Sequence, residues 1–175
     1  GLLGLALARA AGTTYPELVR ARILDPLGMH STGYASEAVY ADAGMADRMT
    51  QPHSRGEAVS AWTVGEAITG AGGLRSTMAD MLTYLAANLG PAETELERAM
   101  RDAHRARLPF DDRLAEGSEI GLAWRTIPVP GPDGGRRIIE HGGNSAGSSA
   151  RIAFDPDRRV GFVRLTNAGS FPDDL

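Results

Sequence analysis

Short connections between strand-like segments are the strongest constraint that this sequence places on its fold. Four segments in the last third are rich in apolar and β-branched residues: Ile120–Val129, Arg136–Glu140, Ser148–Phe154 and Val160–Thr166. Turn-forming residues separate them, and the cluster Pro130–Gly135 is the clearest example. Because such connections are too short for a crossover, successive strands must pair antiparallel. The last third therefore predicts an antiparallel meander.

Two helical patterns open the chain. Leucine and alanine at helical spacing predict a helix from Leu2, with Gly12 at the position after its end. Thr14 and Glu17 have the spacing of a capping box, so a second helix is predicted to begin there. We expect this helix to stop at Asp25, because the residue before a proline is disfavoured in the α region.

Two further helical patterns precede the meander. Ser76 or Thr77 is predicted to cap a helix that runs through Leu89 to the Gly-Pro pair at 90–91. A charged segment, 93–107, predicts a solvent-facing helix that carries His104. Residues 28–71 show little periodicity and predict long irregular connections with at most a short helix. Helices followed by a meander predict a single α+β domain, with an antiparallel sheet flanked by helices.

The composition excludes several functional classes. The 175 residues are 42% hydrophobic and 23% charged, which is typical of a globular domain. The net charge of −4 and scattered arginines give no footprint for nucleic acid, and no apolar run is long enough to span a membrane. There is no cysteine, which leaves the cellular compartment undetermined. All 18 basic residues are arginine, and no arginine can act as a titratable general base.

The local motifs do not by themselves identify an active site. Ser145 lies in a G-x-S-x-G pattern, but that motif requires a following helix, and the residues after Ser145 predict a strand. The four histidines, His30, His53, His104 and His141, lack the spacing of a metal site. We expect the first three to be solvated side chains, and we expect neither a metal nor a cofactor. Taken alone, His141 at a strand end is more often structural than catalytic.

Three blocks of sequence resemble the β-lactamase-related serine hydrolases. This family, with a penicillin-binding-protein-like fold, contains class C β-lactamases, D-aminopeptidases and family VIII esterases. The first block comprises residues 1–12 and 23–32, with the run Asp25-Pro26-Leu27-Gly28-Met29. The second is residues 71–81, which include Gly72-Gly73-Leu74. The third contains His141-Gly142-Gly143-Asn144 and continues to Leu165-Thr166-Asn167. The blocks occur in the family's order and span residues 1 to about 167.

The resemblance implies roles for four residues on one strand. His141 matches the first position of the family's third motif, which is Lys-Thr-Gly in many members and His-x-Gly in others. A donor there can bind a substrate carbonyl or carboxylate. Gly142 and Gly143 would let the substrate lie against the strand, because glycine has no side chain. The backbone N–H of Asn144 would form one arm of an oxyanion hole. The resemblance thus implies acyl transfer on a small-molecule or peptide-like substrate.

The sequence departs from the family at the nucleophile. Without lysine it can contain no S-x-x-K motif, and Tyr15, Tyr34, Tyr40 and Tyr84 do not match the family's tyrosine motif. We therefore expect residues 1–175 to be the carboxy-terminal part of one β-lactamase-like domain, inactive alone, with the amino-terminal half as its partner. The alternative is a non-catalytic binding or structural relative with the same fold. The sequence upstream of Gly1 would distinguish the two hypotheses.

Overall fold

Helices occupy the first part of the chain and an antiparallel sheet the last part. The structure is a computed structural model that describes residues 1–34, 46–62, 64–110, 115–132 and 134–169. Its contacts divide the chain into two compact units. The first unit comprises residues 1–83, 143–150 and those from Leu165 onward, and the second comprises 84–142 and 151–164.

The amino-terminal helices begin where the sequence predicts. Helix α1 spans Leu2–Ala10. Helix α2 spans Tyr15–Val19 and begins with the predicted capping box, in which the Glu17 N–H donates to the Thr14 hydroxyl and the Thr14 N–H donates to the Glu17 carboxylate. The capping residues therefore act as their spacing predicts.

The predicted helix end at Asp25 is wrong. A π-helix, Arg20–Leu24, follows α2 directly and leads into α3, Asp25–Leu27. The Asp25 N–H donates to the Arg20 carbonyl, five residues back. A proline ring clashes with the carbonyl four residues back in a regular α-helix, and a wider π turn relieves such a clash. The helical segment ends instead at Gly28, whose φ is +69°.

The predicted irregular region contains short elements within its described residues. Strand β1, Gly33–Tyr34, pairs antiparallel with β4, Leu74–Arg75. Strands β2, His53–Ser54, and β3, Glu57–Ala58, form a hairpin. Two 3-10 helices span Ala46–Arg48 and Glu66–Ala71. Residues 35–45, which include Tyr40, and residues 63, 111–114, 133 and 170–175 lie outside the described part of the chain.

Two longer helices follow. Helix α4 spans Met78–Leu89, and the Asp80 N–H donates to the Thr77 hydroxyl, as expected for an N-cap. Helix α5 spans Glu95–His104 and begins with a second capping box at Thr94. The prediction that His104 is solvated is wrong, because its side chain is buried and its Nε2 lies 2.7 Å from the Asn88 Oδ1.

The meander forms a six-stranded sheet in the order β10-β9-β8-β7-β6-β5. The strands in chain order are β5 (Leu108–Pro109), β6 (Glu119–Ile120), β7 (Arg125–Val129), β8 (Arg136–Ser145), β9 (Ser148–Asp155) and β10 (Val160–Thr166). Short turns connect β7 to β10, which confirms the predicted meander and the α+β class. No helix in the described ranges is long and apolar enough to cross a membrane.

One predicted strand is in fact two. Residues 120–129 divide into β6 and β7, which pair antiparallel around a tight turn. In that turn the Gly121 N–H donates to the Trp124 carbonyl, and Ala123 has φ +65°. The residue types across 120–129 are typical of one continuous strand, but the backbone reverses direction at residues 121–124.

Each unit has its own buried residues. In the first unit, Tyr15 and Tyr34 meet edge to face with their ring centroids 5.7 Å apart. In the second unit, Phe154 is the most deeply buried aromatic residue, and its ring packs edge to face against Trp124 and His104. Burial of such aromatic rings is a large apolar contribution to stability.

Candidate functional site

Strand β8 brings the four predicted site residues into one continuous segment. Residues 141–145 extend the strand beyond its predicted end at Glu140, so His141, Gly142, Gly143 and Asn144 have strand geometry. Ala146 and Gly147 then form a two-residue turn into β9. Ser145 is thus followed by a turn and a strand, not by a helix. This geometry confirms that the G-x-S-x-G pattern is not a nucleophile elbow.

The turn after β8 is held by close packing within the first unit. Gly147 has φ +72°, a conformation that residues with a Cβ adopt at a steric cost. A Cβ added there would lie 2.5 Å from the Val59 Cγ2 and 2.7 Å from the His53 nitrogen. Only glycine therefore fits both the backbone conformation and the space at this position.

Backbone hydrogen bonds join β2 to this turn and to the end of β10. The His53 N–H is shared between the carbonyls of Gly147, at 3.0 Å, and Asn167, at 2.8 Å. The Gly169 N–H donates to the His53 carbonyl at 2.8 Å, and the Asn167 side chain donates to the Gln51 carbonyl at 2.9 Å. We call this set of bonds the His53 clamp. It fixes three segments that are distant in sequence.

A cleft of about 730 Å³ opens beside these segments, entirely within the first unit. Its walls come from the loops around residues 48–52 and 61–62, from residues 71–78, from the β8–β9 hairpin and from the end of β10. The predicted site residues that line it are Gly143 and Asn144. A Cβ added to Gly143 would meet no atom within 4 Å, so the strand surface at this position is open.

Polar side chains order the 71–78 wall of the cleft. The guanidinium of Arg75 donates to the carbonyls of Gly72, Leu74 and Trp62 at 2.7–3.1 Å. The Ser76 hydroxyl lies 2.7 Å from the hydroxyl of buried Thr32, which donates to the Asp80 carboxylate at 2.6 Å. These bonds fix the loop that forms this wall.

His141 and Gly142 lie on the same strand but belong to the second unit. The His141 side chain is exposed, and its ring meets Trp124 edge to face, with the ring centroids 6.3 Å apart. Trp124 in turn packs against His104 and Phe154. Burial, aided by the positive charge of Arg101, lowers the pKa of His104 to about 4, so this ring is neutral at pH 7.

Glu140, next to His141, is completely buried between two arginines. Its Oε1 contacts the Arg125 Nη2 and its Oε2 contacts the Arg151 Nη2. The three residues come from the neighbouring strands β7, β8 and β9. A buried carboxylate requires such partners, because removing an unpaired charge from water is costly. We call these three residues the Arg–Glu–Arg triad.

The other candidate residues do not form a site. His30 is exposed and His53 is half-buried in β2. In the described part of the chain, no three His, Asp or Glu side chains are placed to hold a metal. Sequence reasoning missed Trp62 and Arg75 as cleft residues, since the loop around 62 lacks any periodic signal. For residues 71–78, the Gly72-Gly73 pair is the one feature of the sequence that indicates a part in the cleft wall.

Known structures share this fold. A class C beta-lactamase is 21% identical with a TM-score of 0.79, over 97% of this chain and 50% of that chain. A D-alanine carboxypeptidase from Burkholderia cenocepacia is 26% identical with a TM-score of 0.76, over 98% and 54% of the two chains. A penicillin-binding protein homologue from Pyrococcus abyssi, described as octameric, is 19% identical with a TM-score of 0.73, over 97% and 37%.

The chain thus spans about half the length of the class C beta-lactamases to which it is similar. The family model of the beta-lactamases matches residues 1–175, which is the whole sequence. The match covers all three blocks that resemble this family, the helices as well as the sheet. The chain belongs to the beta-lactamase family.

Proposed function

We propose that this chain is part of a serine hydrolase that cleaves an amide, lactam or ester bond through an acyl-enzyme. Membership of the beta-lactamase family supports the reaction class. Solved relatives described as class C beta-lactamases and as a D-alanine carboxypeptidase support amide and lactam substrates. The observation that carries the proposal is the open strand surface at Gly143 and Asn144, which lines a cleft large enough for a small substrate.

In this proposal each residue of β8 has a separate role. The Asn144 backbone N–H donates to the oxyanion that forms when the substrate carbonyl is attacked. Gly142 and Gly143 allow the substrate to lie along the strand. His141 donates a hydrogen bond to the substrate or to the proton-transfer network, and the ring of Trp124 limits the orientations of His141.

In this proposal the nucleophile and the general base come from outside the 175 residues. The family's S-x-x-K motif requires a lysine, and the sequence has none. Exposed apolar side chains support a missing amino-terminal half as the partner: Leu2 and Leu3 on α1 are 76% and 73% exposed. Phe162, on the outermost strand β10, is 52% exposed. Apolar surface of this kind is typical of an interface.

The test compares the 175-residue chain with the full-length protein. Both are assayed with a chromogenic cephalosporin, a D-alanyl dipeptide and p-nitrophenyl esters. We expect turnover only by the full-length protein, and we expect replacement of its S-x-x-K serine by alanine to abolish that turnover. Serine-dependent turnover by the 175-residue chain alone would contradict the proposal. A full-length protein that binds these compounds without turnover would favour the non-catalytic relative.

His141→Ala in the full-length protein tests the role of the strand. The side chain is exposed, so its removal should change the free energy of unfolding by less than about 0.5 kcal/mol. We expect kcat/KM to fall by roughly 100-fold, the usual effect of losing a positioned donor. His30→Ala, at another exposed histidine, is the control. An unchanged kcat/KM in His141→Ala would exclude this residue from the site.

A further inference from the structure

We propose that the cleft of the first unit selects substrates in which an aromatic group carries a carboxylate. This inference rests on the proposed hydrolase function and deepens it, because it names the substrate class that the site accepts. It depends on the charges and the apolar surface of the cleft.

The charge of the cleft wall is entirely positive. Arg48 and Arg75 line the cleft, and none of the lining residues that the structure describes is an aspartate or a glutamate. Asp80 is close in sequence to this wall, but its carboxylate accepts hydrogen bonds from the Ser31 N–H and the Thr32 hydroxyl. The field in the cleft therefore favours an anion.

The hydrogen bonds of Arg75 hold its charge in place without neutralising it. Its guanidinium donates to three backbone carbonyls, which are dipoles and carry no net charge. A fixed cation of this kind loses little side-chain entropy when an anion binds beside it.

Arg48 supplies the second positive charge. It ends a 3-10 helix, its side chain is exposed, and its Nη1 donates to the Ser31 hydroxyl at 3.2 Å. Among the described residues, no carboxylate forms an ion pair with either Arg48 or Arg75. Both arginines can therefore stabilise a carboxylate that a substrate brings into the cleft.

Apolar side chains provide the remaining surface. Trp62 and Met78 line the cleft and are 46% and 42% exposed. An aromatic ring packs favourably on an indole face and against a thioether. The combination of Trp62, Met78 and two arginines therefore fits an aromatic carboxylate better than it fits a small polar group.

The same composition disfavours one of the three substrate types that the family implies. A peptide with a free D-amino terminus presents an ammonium group, which requires a carboxylate or a cluster of acceptors. The described wall offers two cations instead. Like charges in a confined site raise the free energy of binding, so the cleft rejects such substrates.

The test uses three p-nitrophenyl esters that differ only at one ring position. The acyl groups are 4-carboxyphenylacetyl, 4-methylphenylacetyl and 4-(aminomethyl)phenylacetyl, which are anionic, neutral and cationic at pH 7. For the full-length protein we expect kcat/KM to be roughly tenfold higher for the anionic ester than for the neutral one, and lowest for the cationic ester. The preference should shrink in 0.5 M NaCl, because salt screens exposed charges.

Two variants assign the preference to the cleft. In Arg48→Gln we expect the ratio of anionic to neutral kcat/KM to fall by roughly three- to tenfold. Arg22→Gln is the control, because Arg22 is exposed in the same unit, does not line the cleft, and changes the net charge equally. The control should keep the wild-type ratio.

Turnover with no anionic preference, or with the same ratio in all variants, overturns the inference and leaves the proposed function intact. Absence of serine-dependent turnover for all three esters counts against the proposed function instead. The inference is then decided by calorimetric binding of the corresponding primary amides, which need not be cleaved. Tighter binding of 4-carboxyphenylacetamide than of its neutral analogue supports it, and equal or weaker binding overturns it.

Discussion

The two halves of strand β8 have opposite character. In the amino-terminal half, Ile139 and Glu140 are buried, and Glu140 contacts arginines on both neighbouring strands. In the carboxy-terminal half, residues 141–144 are exposed, and Gly143 faces open space. One half therefore fixes the strand within the sheet, while the other half is free to contact a ligand.

This difference shows how a single strand can combine rigidity with access. A substrate-binding edge must be exposed, yet its position must be accurate to a fraction of an ångström. Within the first unit, close packing at Gly147 and the backbone hydrogen bonds of the His53 clamp hold the turn that follows the exposed half. Substitutions in the two halves should accordingly affect different properties, namely stability in the first and activity in the second.

Glu140→Gln should have the largest effect on stability. It removes the only negative charge of the Arg–Glu–Arg triad and leaves two guanidinium groups close together. We expect the free energy of unfolding to fall by about 3–5 kcal/mol, measured by chemical denaturation of the full-length protein. Arg137→Gln is the control, since its ion pair with Glu119 is exposed and should contribute less than about 1 kcal/mol. A similar loss of unfolding free energy in both variants would contradict a stabilising role for the buried Glu140.

A pH titration of the free energy of unfolding tests the burial of His104 in the second unit. Burial lowers the pKa of His104 to about 4, whereas the unfolded chain has a pKa near 6.5. Between these values the unfolded state binds a proton that the folded state does not. The free energy of unfolding therefore keeps its full value, as far as His104 is concerned, above pH 6.5. It falls by roughly 3 kcal/mol in total as the pH is lowered toward 4. His104→Gln should show a shallower slope in this window, and an identical slope would contradict the prediction.

The turn at Gly147, which follows the exposed half, should lose stability when a side chain is introduced. Gly147→Ala introduces a Cβ at positive φ that would collide with Val59 and His53. We expect a loss of about 2–3 kcal/mol in the free energy of unfolding. Gly12→Ala is the matched control, because Gly12 has φ +68° but no atom within 4 Å of the added Cβ. Its loss should be only about 1 kcal/mol, and a loss equal to that of Gly147→Ala would exclude the collision as the cause.

Gly143→Ala should have the smallest effect on stability but a clear effect on activity. The added methyl group meets no protein atom, so unfolding should change by less than about 0.5 kcal/mol. In the full-length protein the methyl group would occupy the surface along which we propose that the substrate lies, and we expect kcat/KM to fall by roughly tenfold or more. Unchanged kinetics would show that substrates do not approach this part of β8.

Local signals in the sequence predicted much of the fold. The capping box at Thr14 and Glu17, the cap at Thr77 and the turns of the meander depend on residues close in sequence, so they could be recognised directly. The errors have non-local or unusual causes. A π turn accommodates Pro26, and His104 is buried because Asn88 and Phe154 surround it in the folded chain.

The candidate site was predictable only in part. His141, Gly142, Gly143 and Asn144 are named from the resemblance to the family's third motif, and their roles stay predictions. Of the four, Gly143 and Asn144 line the cleft. Trp62 and Arg75 could not be predicted as cleft residues, because they come together only through a hydrogen bond between the Arg75 side chain and the Trp62 carbonyl. Neither residue has a periodic neighbour that signals its position.

The His53 clamp has a consequence for how this protein can evolve. Its bonds to Gly147, Asn167 and Gly169 are made by main-chain groups of His53, and every residue except proline can supply the same N–H and carbonyl. Among the described residues, the His53 side chain adds only one long contact, 3.5 Å from its Nδ1 to the Asn167 Nδ2, so position 53 can vary over generations while the main-chain bonds keep the cleft in place. Such a position can acquire new chemistry beside a site whose shape is inherited unchanged.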